Sequence, residues 1–586
     1  MSSKGGLYFF FFVFLFFGLV AGGVILYFSF TKPPNYINPR ITVVQKGIRG
    51  SIQWKENQTA YTRLVYDVYF NPIYLVSSKK ELFIELFSVY SGVDRGWLEE
   101  RINRAIRQIR ERNLSRGLRI KIAEVGESGR KELVYLRKVL DKNRVFKANR
   151  QGYRIGYEIV APRIERVYPY QDLLEPALGF YEKGSGNGKE GLEGYYNYWL
   201  KPRKNGKISG YRDVIGNVIY DGNSKIEIPI NGRNLQLNIN LIIQRRVEHL
   251  LDRAKEEFNV SEIVAGIIDS QTGKVVVLAS SNRYNPNQIR PSDIPNLTIS
   301  AIRRLYEPGS VMKPITYAIL WQEGLIIPNE RIFVNWGRWR PKWRKKPITD
   351  DEPFKFLTPR DIVVHSSNIG ISKLVLRLSG TTFYDWLVRF GFNSPTGVDL
   401  PYEKVGVLLP PEKYQAPIYR TTAAYGYGLK VSFLELLRAY NVFNNGGYLV
   451  TPRLAHSPVP KPIKILTDDT TTEVLGVLRD VVLRGTGKKG YYPGIFTAGK
   501  TGTAHISIGK EGYTDWYNSS FFGVADDWEG HRYTIGVTFF RVGGERYFAA
   551  QTAVPLFRQI VGILVEEGAL KPRREGNLTG EPGGYK

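Results

Sequence analysis

The 586-residue sequence contains no cysteine. That excludes a disulfide framework, a thiol nucleophile, an iron–sulfur cluster and any thiolate zinc site. It leaves the redox compartment open, since a chain without thiols suits either. Methionine is almost as scarce: Met1 and Met312 are the only two. Having so few of the two most oxidisable side chains fits a hot or oxidising habitat. The five histidines (His249, His365, His456, His505, His531) show no close metal-ligand spacing, so neither a metal site nor a cofactor is expected. Acidic residues are the minority charge, 55 Asp+Glu against 82 Lys+Arg, a net +27. What is abundant is ordinary: 43% hydrophobic and 23% charged residues exclude disorder for most of the chain.

From Leu7 to Phe30 there is no charged residue. A helix of that length spans roughly 36 Å, against ~30 Å of bilayer hydrocarbon. A cleaved signal peptide has a shorter apolar core followed by small residues; here Ala21-Gly22-Gly23 lies inside the run. The stretch reads as an uncleaved signal anchor. Lys4 precedes it and Lys32, Arg40, Lys46 and Arg49 follow it, a bias opposite to that of an exported body. Long domains translocate largely regardless of such charges, so orientation has to come from the chemistry. No second run approaches ~20 apolar residues.

The expected division is a cytoplasmic N-terminus over 1–6, a transmembrane anchor over 7–30, a polar region over 31–230, a compact domain over 231–568 and a disordered tail over 569–586. The polar region reads as irregular, with one amphipathic helix from Trp97 to Asn113 and glycine-rich loops at Lys183–Gly191 and Lys201–Gly210. In the compact domain, Asn240–Phe258 reads as a helix. Ile263–Ile268 and Lys274–Ala279 read as a hairpin joined by Asp269-Ser270-Gln271-Thr272-Gly273. Three late strands are expected at Ile495–Ile506, Asn518–Val524 and Tyr533–Arg541, then a helix at Gln551–Gly568. Helical runs such as Thr316–Glu323, Ile369–Leu378 and Phe433–Phe443 lie between. The class is α+β: an antiparallel sheet interrupted by a helical insert.

Three short motifs carry the chemistry. Ser310-Val311-Met312-Lys313 is a Ser-x-x-Lys. Pro314 has no N–H to donate, so it belongs in a first turn and places the helix start near Ser310. Positions i and i+3 then put the Lys313 amine on the face of the Ser310 hydroxyl. Alone the spacing means little, for Ser77/Lys80, Ser128/Lys131 and Ser507/Lys510 share it. Ser366-Ser367-Asn368 is a Ser-x-Asn that could equally be a helix N-cap. Lys500-Thr501-Gly502 lies on an expected strand. Their order and context together are far more specific than any one of them.

On these motifs the chain resembles class B penicillin-binding proteins. The resemblance extends to Leu305-Tyr306-Glu307-Pro308-Gly309-Ser310, to Ala424-Tyr425-Gly426-Tyr427-Gly428, and to Ala498-Gly499-Lys500-Thr501-Gly502-Thr503-Ala504. It covers a transpeptidase domain over about 235–568. Arg49-Gly50-Ser51-Ile52, Arg166, Gly179 and Gly191-Leu192-Glu193 resemble motifs of the family's non-catalytic pedestal. One departure stands out: the family's Asp-Arg-x-Gly is replaced by Trp54-Lys55-Glu56-Asn57. No separate glycosyltransferase module is apparent.

The resemblance implies a membrane-anchored peptidoglycan D,D-transpeptidase that β-lactams acylate. Ser310 would be the nucleophile, Lys313 its base, Ser366 a proton shuttle and Asn368 a holder of Lys313 and substrate. Lys500 would be the second cation that depresses Lys313. The backbone N–H groups of Ser310 and Thr503 would form the oxyanion hole, with Thr501, Gly502 and Thr503 at the substrate carboxylate. A lysine base must fall roughly three units from its usual ~10.4 to act near pH 7, and burial and a second cation both push it that way. Tyr168-Pro169 and Asn518-Ser519-Ser520-Phe521-Phe522-Gly523 resemble septal, division-type members, which implies a SEDS-family glycan polymerase as partner. The implied location is the bacterial inner membrane, single-pass, with the catalytic body outside the cytosol. An elongation-type enzyme and a catalytically silent scaffold for cell-wall synthesis proteins are the alternatives. The segment Trp336–Lys346, with three Trp among six Arg and Lys, reads as a loop near the active-site mouth that touches anionic membrane or sugar polymer rather than nucleic acid.

Overall fold

The computed structural model describes residues 3–30, 40–148, 154, 156–212, 218–507 and 512–573. The chain forms two compact units: Met1–Ile48 with Pro202–Gly232, and Arg49–Lys201 with Arg233–Lys586.

In the first unit a helix runs Ser3–Phe30, and the side chains described in it are nearly all exposed and apolar, Phe11, Phe14 and Leu19 among them. Among the described residues no helix is long and apolar enough to cross a membrane; several side chains of the Leu7–Phe30 run lie outside the description. The membrane span therefore rests on the sequence. The unit's sheet pairs Arg40–Gln45 antiparallel with Gly206–Arg212, which also takes Val218–Ile219 and Lys225–Glu227. Gly206–Gly210 belongs to the expected loop Lys201–Gly210 but is strand. Its glycines are strand residues at close crossings: a Cβ on Gly206 would lie 2.5 Å from the Glu227 carbonyl oxygen, and one on Gly210 2.5 Å from that of Ile219.

The second unit holds a small α/β body at its N-terminal end. The strand Asn57–Phe70 pairs with Ile52–Trp54, Ile120–Val125, Tyr157–Ile159 and Arg163–Val167. Trp54-Lys55-Glu56-Asn57, where the family motif is broken, is the tight turn of the first hairpin, with Lys55 at φ +52°. Helices Lys80–Ser91, Arg95–Glu111 and Glu127–Lys142 cover this sheet. Asp94 caps the second of them, accepting from Trp97 N at 2.7 Å, and Leu98, Ile102 and Ala105 face inward as the amphipathic pattern requires. Phe70, Phe83, Phe87 and Phe146 fill the core. The region is thus more regular than its polar texture suggested.

Arg49, Arg166 and Glu193, from three of the N-terminal motifs and far apart in sequence, meet in one buried cluster. Arg49 donates to Glu193 through Nε and Nη2 (2.8 and 2.6 Å), and Arg166 Nε donates to the other carboxylate oxygen at 2.7 Å. Burial alone would raise the Glu193 pKa, but Arg166 and Arg49 outweigh it and hold the carboxyl below its usual range.

The remainder of this unit is built on a five-stranded antiparallel sheet, ordered Val275–Ser280, Glu262–Asp269, Arg532–Val542, Tyr513–Asp526, Phe496–Ser507. Each central strand is buried on both faces, so it reads as a continuous apolar run. Alternate residues feed two apolar layers. Ile263, Ala265 and Ile267 pack with helices Leu241–Phe258 and Ala553–Glu566, while Val264 and Ile268 face the helical insert. The strand Phe496–Ser507, which carries Lys500, ends the sheet. Of the expected tail, Leu570 is buried in the layer formed with helices Leu241–Phe258 and Ala553–Glu566, and Lys571 pairs with Glu529 at 2.6 Å; residues 574–586 lie outside the described residues.

Candidate active site

Ser310 sits in a 3-10 turn, Gly309–Met312, that runs into the helix Lys313–Gln322 with Pro314 in its first turn. The start of that helix is where the missing proline N–H costs nothing. The turn is clamped on both sides. A Cβ on Gly502 would lie 2.8 Å from Val311 Cγ1, and one on Gly309 would lie 3.0 Å from Ala504 Cβ. These two contacts set the Ser310 backbone beside Thr503. From the other side Gly309 N donates to Gly426 O at 3.0 Å. Gly426 has φ +88°, and a Cβ there would lie 2.0 Å from the Gly309 carbonyl oxygen. Only glycine meets both demands.

Lys313 and Lys500 are fully buried, and both aim at the Ser366 hydroxyl, each Nζ–Oγ distance being 3.0 Å. Lys313 also donates to the Ser366 carbonyl oxygen, and Lys500 to the Thr501 carbonyl and hydroxyl at 3.0 and 3.1 Å. Ser366 is held in the left-handed region at φ +59°, a costly state for serine that places its Oγ between the two amines. Burial pushes Lys313 down to about 8, against the opposing pull of Asp350 and Asp351. Lys500 is pushed well below its usual value, first by burial and then by the charge of Lys313. The sequence argument named burial and the Lys500 charge together as depressing Lys313; burial leads for both amines, and the effect of one amine on the other falls on Lys500. At pH 7 two buried ammonium groups would share one hydroxyl, so the site favours losing a proton.

The remaining sequence-derived residues are grouped nearby. Thr501 Oγ1 meets Thr486 Oγ1 at 2.7 Å, and Thr503 Oγ1 accepts from Ala549 N at 3.1 Å. Asn368 opens the helix Asn368–Val375 and donates through Nδ2 to Thr349 O at 2.8 Å, leaving Lys313 to the Ser366 oxygens.

Asp350 was missed. Its carboxylate accepts from Ser367 Oγ at 2.5 Å and from the backbone N–H groups of Asn368 and Ile369 at 2.6 and 3.0 Å. It thereby fixes the start of the Ser-x-Asn helix. Asp350 follows a hairpin in which Arg338–Trp339 pairs with Ile348–Thr349, so the Trp/Arg/Lys-rich segment delivers it. Trp339 and Trp343 meet edge-to-face at 5.8 Å, and Arg344 donates to the Tyr425 hydroxyl at 2.9 Å, beside Gly426. The acid pair Asp350-Asp351 belongs to no motif; its place right after a basic hairpin was the available signal.

This geometry is that of a serine acyl-transfer site with an amine base. The family model for the penicillin binding protein transpeptidase domain matches residues 263–562, and the chain belongs to that family. Several of its relatives are peptidoglycan transpeptidases by name. It is 27% identical over 450 residues to the probable peptidoglycan D,D-transpeptidase PenA of Neisseria meningitidis, covering 76% of this chain and 75% of the relative. It is 29% identical over 413 residues to the peptidoglycan D,D-transpeptidase FtsI of Escherichia coli, covering 70% and 68%. Among solved structures, penicillin-binding protein 3 of Mycobacterium tuberculosis complexed with aztreonam matches 91% of this chain and 98% of its own, with a TM-score of 0.65 at 22% identity, a likeness of fold. The apo form of that protein covers 70% of this chain and 92% of its own, with a TM-score of 0.60 at 26% identity.

Proposed function

We propose that the protein is a membrane-anchored D,D-transpeptidase that cross-links peptidoglycan stem peptides at the division septum. The observation that carries the chemistry is the Ser366 hydroxyl held between the buried amines of Lys313 and Lys500, one helical turn from Ser310. Ser310 Oγ attacks the penultimate D-alanine carbonyl, and neutral Lys313 takes its proton. Serine is a poor nucleophile without such a base. The developing oxyanion lies between the N–H groups of Ser310 and Thr503, of which the first is a donor left free at a helix start. Ser366 relays the proton to the departing D-alanine nitrogen as the C–N bond breaks. An amine of a neighbouring stem then attacks the ester, and its proton returns along the same route as Ser310 Oγ leaves. The amine of Lys500 and the hydroxyls of Thr501 and Thr503 face the substrate carboxylate. A β-lactam offers the same carbonyl and carboxylate, and its ring opens onto Ser310.

The apolar run Leu7–Phe30, continuous with the helix Ser3–Phe30, supports an anchor in the inner membrane. The chemistry demands a catalytic body outside the cytosol, where stem peptides are. The names FtsI and PenA among the relatives support the septal reading and, with it, a SEDS-family polymerase as partner. The basic hairpin Arg338–Thr349 fits contact with an anionic membrane or sugar polymer.

Two measurements test this. A fluorescent penicillin is expected to label the wild type at Ser310 and to leave Ser310→Ala unlabelled. Label that persists in Ser310→Ala overturns the nucleophile, and a wild type that takes no label points to the silent scaffold. Depletion in cells is expected to give filaments; rounded cells would point to side-wall elongation instead.

A further inference from the structure

A cleft of about 400 Å³ opens beyond the Ala504 end of the Lys500 strand. Its size suits one small ligand group. It starts where the catalytic turn starts: Tyr306 and Glu307, just ahead of Ser310, line one wall, and His505 and Ile506, just past Thr503, line another. At about 3.3 Å per strand residue the cleft lies on the order of 7–10 Å from Thr503. None of its residues belongs to the three motifs.

The rim of the cleft is cationic. Arg304, Lys430 and Arg541 line it, and among the described lining residues Glu307 is the one acid. Glu307 is already engaged, accepting from Gly428 N at 2.8 Å and from the Tyr513 hydroxyl at 3.3 Å. Arg304 has Glu262 at 3.3 Å. Among the described residues Lys430 and Arg541 have no carboxylate partner.

The backbone at Arg541 is a second, independent observation. The register between Tyr513–Asp526 and Arg532–Val542 shifts between Tyr517 and Ser519. The extra residue falls at Arg541, which adopts φ +62°. A non-glycine residue in that region is strained, and bulges beside active sites re-aim side chains. Buried Asn518, another residue of the cleft, props the bulge by accepting from Arg541 N at 3.4 Å, and the guanidinium stacks on Trp516 at 5.0 Å. The fold thus spends strain to hold a cation at the cleft's edge.

We propose that this cleft is a carboxylate-recognising extension of the substrate groove, with Lys430 and Arg541 binding a free carboxylate on the donor peptide. The inference rests on the transpeptidase reading and makes it more specific. With the scissile carbonyl at Ser310, the distance along the strand assigns the carboxylate to the side chain of the residue immediately before the penultimate D-alanine. Its class of ligand is therefore a stem peptide with an acidic side chain at that position rather than a purely basic or amidated one.

The test uses two synthetic donors ending in D-alanyl-D-lactate that differ only in that side chain, carboxylate in one and its amide in the other. For the full-length protein in detergent, acylation efficiency is expected to favour the carboxylate donor by about tenfold, the scale of one charge-assisted hydrogen bond. The preference should shrink as salt is raised. In the Lys430→Gln/Arg541→Gln double variant it should vanish, while labelling by benzylpenicillin reports that the fold is intact. Should the double variant fail to fold, Lys430→Gln alone, at an exposed rim position, is expected to lose at least half of the preference on a logarithmic scale. Equal rates for the two donors in the wild type, or an undiminished preference in the folded variants, overturns the carboxylate site. Absence of acylation by both donors and by benzylpenicillin overturns the transpeptidase reading instead.

Discussion

Replacing Asp350 separates what holds the Ser-x-Asn motif in place from what sets the charge around it. Its carboxylate takes the Ser367 hydroxyl and two N–H groups from the first turn of the helix Asn368–Val375. Those N–H groups have no acceptor within the helix. Asp350→Ala removes the bonds from the Ser367 hydroxyl and the two N–H groups to an ionised acceptor, each worth ~1.5–3 kcal/mol. Asp350 is half-buried, so water recovers part of this, and a net loss of about 2–3 kcal/mol is expected. Asp350→Asn keeps the shape and should cost about 1 kcal/mol. The electrostatic effect differs in kind. The negative charge of Asp350 opposes the burial that depresses Lys313, so its removal lowers the Lys313 pKa below about 8. If neutral Lys313 is the base, acylation speeds up as pH rises through that pKa. In Asp350→Asn this rising limb should move to lower pH. Asp350→Ala should in addition lose roughly tenfold to a hundredfold at the plateau, since Ser366 and Asn368 are no longer fixed. Stopped-flow acylation by a chromogenic β-lactam from pH 5.5 to 9.5, with thermal unfolding on the same samples, reads both effects. A folded Asp350→Asn whose limb stays in place or moves up refutes the assignment of Lys313 as a base under the influence of Asp350.

Other perturbations follow from the same geometry. The fall of Lys313 from 10.5 to about 8 through burial, at 1.36 kcal/mol per pH unit, is a cost of about 3 kcal/mol carried below pH 8. Because the unfolded chain binds the proton more tightly, stability should climb with pH between about 8 and 10.5. Lys313→Met should flatten that slope and raise Tm at pH 7 while stopping acylation; a lowered Tm would contradict it. Gly426→Ala must push a Cβ into the Gly309 carbonyl and should slow acylation at least tenfold, which an unchanged second-order labelling rate would disprove. Glu193→Ala strands two buried guanidinium groups and should cost about 3–5 kcal/mol in urea unfolding; a loss under 1 kcal/mol would mean that the cluster is not needed for stability. Deleting residues 1–30 should leave penicillin labelling intact and abolish complementation in cells, and full complementation would remove the case for the anchor.

The elements that could be read from the sequence are those whose signal is local. The helix Leu241–Phe258 announces itself through its apolar face and its Asn240 cap, which accepts from Ile242 N and Ile243 N. The hairpin Glu262–Ser280 shows in two β-branched runs around a turn, and Pro314 marks the start of the active-site helix. The three motifs were visible for a similar reason, each being a short run. What stayed hidden depends on partners distant in sequence. Glycines in Gly206–Arg212 look like loop residues until the crossing strands are in place. The long strand Asn57–Phe70 is only partly buried and rich in tyrosine, so it has no clean alternation. Asp350 acts on a helix that begins 18 residues later, and nothing in its own neighbourhood discloses that. Burial, too, is a property of the whole fold, and so the leading cause of the Lys313 shift could not be weighed against Lys500 beforehand.

The sheet order has a consequence for how the enzyme comes into being. Lys500 lies on the end strand, which reaches the early hairpin Glu262–Ser280 only through Tyr513–Asp526 and Arg532–Val542. Both of those strands come later in the chain. While the polypeptide is emerging, Ser310 and Lys313 can already be present, but the second amine has no sheet to sit on until the central strand Arg532–Val542 has docked. Such long-range closure is slow compared with local helix formation. An unfinished chain therefore carries the nucleophile without its complete proton relay. The complete proton relay forms only once two strands that follow Lys500 in the chain have joined the sheet.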